Sequence, residues 1–315
     1  MRAIRLPDWL VEQGIGEQRF VRLHDGEITD ARIHLDGTPC AGERRRVRIT
    51  AQRPQAHASD GEREFLLPGG AAGLHEGASG WIEVTREPIP GPEPWKRPLG
   101  RVVEDGDAAP GRVAAALPFP APADRLEAAG WSDLLEEARS GLIAFPGGTL
   151  RVFVAPAMTL IDVDGGGRPQ ELAKAAAVAA AAAIRRHNVG GSIGIDFPTV
   201  SGRDLRQAIG AIVDAGLEAP FERTAVNGFG FLQIVRPRRH PSLFELAADR
   251  PAFEARALLR RAARHVGSAQ LACHPALAAA LRPEWLERLG RQVGGQVGLR
   301  EDASLAMSGG HVEPA

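Results

Sequence analysis

Three carboxylates offer chemistry in this chain. "LIDVDGGG" (160–167) and "IGIDFPT" (193–199) are short apolar runs of the kind that builds buried strands, yet one ends in Asp162 and Asp164 and the other in Asp196. A carboxylate taken out of water is costly unless it gains a partner, a proton or a metal. Period-two alternation places Asp162 and Asp164 on one face of their strand. Mg²⁺ is a hard cation usually held by one or two carboxylates together with waters and substrate phosphates, and it would relieve the repulsion among three such groups. An ion held this way polarises a phosphate, lowers the pKa of a water and steadies the leaving oxygen. Phosphodiester hydrolysis is the reaction that follows. An Asp at a strand end also starts turns or caps the next helix, and the pattern alone does not choose between these roles.

For the carboxylates to meet, their strands must be parallel neighbours. Between the two runs lies "PQELAKAAAVAAAAAIRRH" (169–187), which reads as a helix so weakly polar that it must pack against a sheet. A strand, a helix and a strand form a βαβ unit, both strands finish on one edge, and ligands of open α/β sheets collect there. Gly165, Gly166 and Gly167, with Gly190 and Gly191, leave room for close backbone approach. "SGRDLRQAIGAIVDAG" (201–216) is a further helix with Ser201 as its N-cap.

Upstream, "QRFVRLHDGEITDARIHL" (18–35) reads as a hairpin turning at Asp25-Gly26. "GERRRVRIT" (42–50), "FLLPGG" (65–70) and "GWIEVTREPIPG" (80–91) are short β pieces at a spacing that suggests a small barrel. The Ala/Pro/Gly-rich stretch 104–124 looks like a linker, and residues 125–139 form an amphipathic helix stopped by Gly141. Past "RPRRHPS" the order is helix (252–265), strand (268–273), helix (275–289) and strand (295–300), followed by a tail. The fold class is therefore α/β and α+β. The regions are N-terminal strands (1–37), a small barrel (38–98), a linker with its helix (99–140), a central α/β body (141–245) and a small α+β unit (250–310).

Composition excludes several classes. The 315 residues are 44% hydrophobic and 24% charged with a net charge of −1, which argues against coating nucleic acid by bulk electrostatics. No run is apolar enough to span a bilayer. "MRAIRLPDWLVEQG" lacks the apolar core of an export signal, and Cys40 and Cys273 form neither a disulfide framework nor a Cys-x-x-Cys zinc site. A reducing cytoplasm is the expected compartment. Lys occurs only at Lys96 and Lys174, so nearly every cation is an Arg; Arg forks suit phosphate recognition, but absent Tyr and abundant Ala equally indicate a GC-rich codon bias.

The blocks "FPGGTLRVFVAPAMTLIDVDGGG", "HNVGGSIGIDFPTVSGRD" and "FGFLQIVRPRRHPSLFE", in this order and spacing, resemble the ribonuclease E/G family of bacterial endoribonucleases. The resemblance implies that Asp162 and Asp196 bind magnesium and that Asp164 stands where the family has a supporting Asn. It implies that Arg236 and Arg238 hold phosphates beside the cleft, that Phe229 touches RNA near the metal, and that the small barrel is an OB-fold RNA-binding module. On that barrel "RRRVR" offers Arg44, Arg45 and Arg46, with Phe65 and Trp81 as either stacking platforms or core. The chain departs from the family in two places. The segment that senses RNA 5′ ends has no room, so 5′-monophosphate preference should be weak. The Cys-x-x-Cys that links subunits through zinc is missing after Leu243, and His240 and Cys273-His274 are weak substitutes, so zinc is not expected and any oligomer forms without that link.

Three readings follow: an endoribonuclease using Mg²⁺ (Mn²⁺ also serves such sites) to cut single-stranded RNA, a non-catalytic RNA-binding or ribosome-maturation protein, and a small-molecule phosphodiesterase.

Overall fold

Asp25 and Gly26 both adopt positive φ (50° and 85°), the left-handed pair that a two-residue hairpin turn requires. They join β2 (Glu17–His24) to β3 (Glu27–Leu35), and β1 (Trp9–Gln13) lies antiparallel on the other side of β2. The computed structural model describes residues 9–91, 93, 96–105, 114–121 and 123–314. The opening of the 1–37 region, which carries most of the export-signal reading, and the middle of the 104–124 stretch lie outside the described residues.

Next, β4 (Arg44–Ala51), β5 (Ala56–Ser59), β6 (Glu64–Leu67), β7 (Ser79–Arg86) and β8 (Leu99–Val103) close into a barrel in the order β4-β5-β6-β8-β7. Alternation along these strands turns Val47, Ile49, Phe65, Leu67, Ile82 and Val84 into its core. Phe65 is fully buried and belongs to that core. The barrel extends past residue 98, because β8 comes from the part of the chain read as linker and pairs with β7 through Trp81↔Val103 to Val84↔Gly100.

Beyond the barrel, β9 (Ala114–Leu117) returns to the first sheet, parallel to β1, giving the order β3-β2-β1-β9. The helix expected over 125–139 is broken into α1 (Arg125–Ala128) and α2 (Trp131–Ser140), because Gly130 between them takes φ 89°. Gly141 ends α2 in the left-handed conformation, as expected, its N–H donating to the Glu137 carbonyl.

The central body contains β10 (Leu142–Phe145), β11 (Gly148–Val154), β12 (Thr159–Gly165), α3 (Pro169–Arg186), β13 (Gly191–Asp196), α4 (Arg203–Gly216), β14 (Glu222–Arg223) and β15 (Phe231–Arg236). Its sheet order is β10-β11-β12-β13-β15-β14, and β12 with β13 is its parallel pair, as the intervening helix demands. The Ala-rich α3 packs against β10, β11 and β12 and also against β3 of the first sheet. Ala173, Ala176, Ala177, Ala180 and Ala181 are buried there; small side chains let two sheets approach one helix. Ser201 does not cap α4: the helix starts one residue later, at Arg203, behind Gly202 with φ 92°.

The remainder forms α5 (Leu243–Ala248), α6 (Arg250–Ala262), β16 (Ala269–Cys273), α7 (Pro275–Ala278), α8 (Pro283–Val293), β17 (Val297–Glu301) and β18 (His311–Pro314), with a hydrophobic cluster around Leu258, Leu271, Leu277 and Leu289. Two expectations are corrected here. The single helix over 275–289 is two, because Pro283 opens a new helix at its first turn. The terminal stretch is no mere tail: β18 adds antiparallel to β16, Leu271 opposite Val312. The protein is thus a mixed α+β structure with a closed five-stranded barrel. No helix among the described residues is long and apolar enough to cross a membrane.

Candidate functional site

Asp162 and Asp196 are direct register partners at the carboxyl ends of β12 and β13. Register partners on parallel strands project to the same face, and the strands lie about 4.8 Å apart. The alternate residues Ile161, Ile193 and Ile195 are completely buried under the helices, so the carboxylates occupy the opposite, open face. Asp162 is half-buried; Asp164 and Asp196 are exposed.

The register continues the row across the sheet: Leu142, Arg151, Asp162, Asp196 and Phe231 stand side by side on β10, β11, β12, β13 and β15. Arg151 therefore faces Asp162 across one strand spacing, and its Nη2 donates to Asp164 Oδ2 at 3.1 Å. This pair occupies the third carboxylate. Asp162, Asp164 and Asp196 do not bring three ligand oxygens within 4.8 Å of one another; among the described residues the only such group of His, Cys, Asp or Glu is elsewhere, at His34, Cys40 and Glu87. Asp162 and Asp196 are register neighbours on one face, and Asp164 is bound by Arg151. A pair of hard oxygen donors open to solvent still fits Mg²⁺, which keeps several waters and takes ligands from its substrate.

Aromatic side chains flank the pair. A Cβ on Gly194 would stand 2.6 Å from the Phe231 ring, so the glycine admits that ring over β13, two residues before Asp196. Phe229 is 83% exposed, unusual for Phe, yet its backbone is held. Asn227 Oδ1 accepts from the amides of both Phe229 and Phe231, and the Phe229 carbonyl accepts from Thr199 Oγ1 at 3.2 Å. Gly230 follows with φ 96°, its α-carbon so close to the Phe197 carbonyl that a Cβ would be 2.3 Å from that oxygen. The turn thus pins an exposed ring beside the segment that leaves Asp196. On the same face Phe153 is 53% exposed.

Two groups of expected phosphate binders lie elsewhere. Arg236 pairs with Gly191, at the opposite end of β13 from Asp196, five positions or about 17 Å away. Its parity is that of buried Leu232 and Ile234, so it points to the helix side, toward Asp30 and Glu218, where burial lowers its pKa. Arg238 donates to Glu245, whose other oxygen accepts from the Ser242 amide in the cap of α5. Both arginines fasten the end of the sheet remote from the carboxylates. On the barrel, Arg44 is paired to Asp105 and Arg45 to Glu43 and Asp60. Arg46 is exposed and stands opposite half-buried Trp81 in register on the outer wall.

Arg151 and Phe231 were not singled out from sequence. Both lie in the quoted strands, at the alternate positions that share the carboxylate face; counting parity outward from Asp162 and Asp196 would have found them. His240 and Cys273-His274 do not come together: Cys273 is in the core of the last unit, His274 caps α7, and His240 bonds to Glu87. Compared with protein-family models and with curated proteins, the chain finds no match in either.

Proposed function

We propose that this protein is a Mg²⁺-dependent endoribonuclease that hydrolyses single-stranded RNA in the cytoplasm. One observation carries the reading: Asp162 and Asp196 oppose each other in register at the carboxyl ends of adjacent parallel strands, on an open face. The resemblance of the surrounding strands to the ribonuclease E/G family supports the choice of substrate. Asp162 and Asp196 would hold the ion, which when bound supplies Lewis-acid activation of the phosphate and of the attacking water. Phe229, rigidly presented, offers a flat surface to one unpaired base. Arg151 sits one strand from Asp162 and can move its guanidinium from Asp164 to two oxygens of a phosphate, a bidentate match. The barrel, with Arg46 and Trp81 on its wall, would serve as an OB-type accessory surface.

Purified protein and labelled single-stranded RNA carrying either a 5′-monophosphate or a 5′-triphosphate, with Mg²⁺ or EDTA, test the reading. Mg²⁺-dependent internal cutting, with similar rates on both substrates, is expected. A metal acting on a phosphoryl oxygen supplies several kcal/mol; losing about 3 kcal/mol with Asp162→Asn or Asp196→Asn slows cleavage about 150-fold. Unchanged cutting by either variant refutes the site. A second reading, an RNA-binding protein without turnover, is favoured by the Arg151–Asp164 pair, which removes one carboxylate from the centre. A metal-independent gel shift without products would select it.

A further inference from the structure

Away from the carboxylate face, side chains from three parts of the chain converge where the barrel meets the first sheet. His34 comes from β3, Cys40 from the loop after it, Glu87 from the residue following β7, and His240 from the loop before α5. One imidazole nitrogen of His34, the Cys40 sulfur and a Glu87 oxygen all lie within 4.8 Å of one another. His34 Nδ1 stands 3.3 Å and His240 Nδ1 2.8 Å from the same Glu87 oxygen, which also accepts from the Ala41 amide at 3.3 Å.

We propose that His34, Cys40 and Glu87 are the ligands of a Zn²⁺-class transition-metal ion that clips the barrel to the N-terminal sheet. The donor set decides the class. Thiolate, imidazole and carboxylate together suit zinc and its neighbours, whereas Mg²⁺ and Ca²⁺ take oxygen alone. His240 is the holder of Glu87 and no ligand. Arg32 Nη1 stands 3.0 Å from His240 Nε2; a guanidinium only donates, so Nε2 is the lone-pair nitrogen and Nδ1 carries the proton given to Glu87. That arrangement fixes the carboxylate's orientation, as outer partners of metal ligands commonly do. It leaves His240 neutral, with its one ring proton committed to Glu87.

Glu87 is only 2% exposed and His34 Nδ1 is buried; oxygen, nitrogen and sulfur donors gathered out of bulk water are a place where a divalent cation is worth far more than in water.

Full-length protein stripped with EDTA and desalted, then titrated with Co²⁺, gives a readout independent of RNA cleavage, so its failure says nothing against the nuclease reading, and the reverse. One equivalent should bind with a thiolate-to-cobalt charge-transfer band, which Zn²⁺ abolishes by displacement, and Zn²⁺ should raise Tm. Cys40→Ser should remove the band and Cys273→Ser should leave it intact. Glu87→Gln and His34→Asn, which preserve shape, should each weaken Co²⁺ binding at least tenfold. A wild-type protein that is folded by circular dichroism yet gives no cobalt–thiolate band overturns the proposal, as does a band that persists in Cys40→Ser and disappears in Cys273→Ser.

Discussion

Phe229 is the residue whose environment is hardest to explain by stability alone. Its ring gains nothing from burial, while its turn is held by Asn227 and by a glycine that no other residue could replace without a backbone clash. Base–aromatic stacking is worth about 1–3 kcal/mol per base, so Phe229→Ala should weaken single-stranded RNA binding about 5- to 150-fold, raising KM with kcat at saturation little changed. Equal affinities in a filter-binding titration would remove the ring from the site. At this scale the carboxylate pair was legible because apolar runs ending in Asp are locally odd, and the helix between them leaves one way to pair the strands. Arg236 was misplaced for a reason equally physical: in a strand, a few positions carry a side chain to the far end, and an odd offset turns it to the other face; Arg238 lies past the end of β15, where it is taken by Glu245. The Cys40 cluster could not be read at all, since His34 and Glu87 are brought together only by the seating of the barrel.

At the scale of elements, α3 is the piece on which both sheets depend, and its end carries a titrating group. His187 caps the helix, completely buried, with Nε2 donating to Glu137 at 2.8 Å and its ring 4.4 Å from that of Phe244. Burial lowers the imidazole pKa, and Glu137 only partly opposes this. The unfolded chain therefore binds the proton first as pH falls below about 6.5, so stability is full above that value and decreases through the window beneath it. Unfolding free energies from urea titrations measured from pH 7.5 down to 5.5 should fall, by at most about 1.4 kcal/mol per pH unit from this group. His187→Gln should flatten that part of the curve; an identical slope in the variant would assign the effect to other groups. Long periodic elements were readable from sequence. The short strands β5, β8 and β18 were not, because their four or five residues are too few to show a period and are defined by their partners.

For the whole molecule, the last unit is joined to the N-terminal sheet by buried charge. Arg19 donates to Glu12 and Glu17, each at 2.7 Å, Arg260 of α6 reaches Glu12 at 2.9 Å and Asp124 at 2.7 Å, and Arg256 reaches Glu17 at 3.2 Å. Removing one partner of such a network leaves uncompensated buried charge at a cost of about 3–5 kcal/mol. Glu12→Gln should lower the stability measured by chemical denaturation by that order, and a loss under about 1 kcal/mol would show that solvent reaches the network. The contacts of Arg256 and Arg260 with the N-terminal sheet span more than 200 residues, which is why the mutual placement of the units was not legible even where each unit was. The return of β9 to lie beside β1 bears on how such a protein can be rebuilt. The chain departs from one margin of a four-stranded sheet and comes back on the other, roughly 14 Å away at three strand spacings, making the barrel a detour moored at two points. A cassette of that kind is exchangeable by two splices, and a foreign barrel grafted there would take the same seat only if it carried a counterpart of Glu87 for His34 and His240, while the body beneath keeps its own fold.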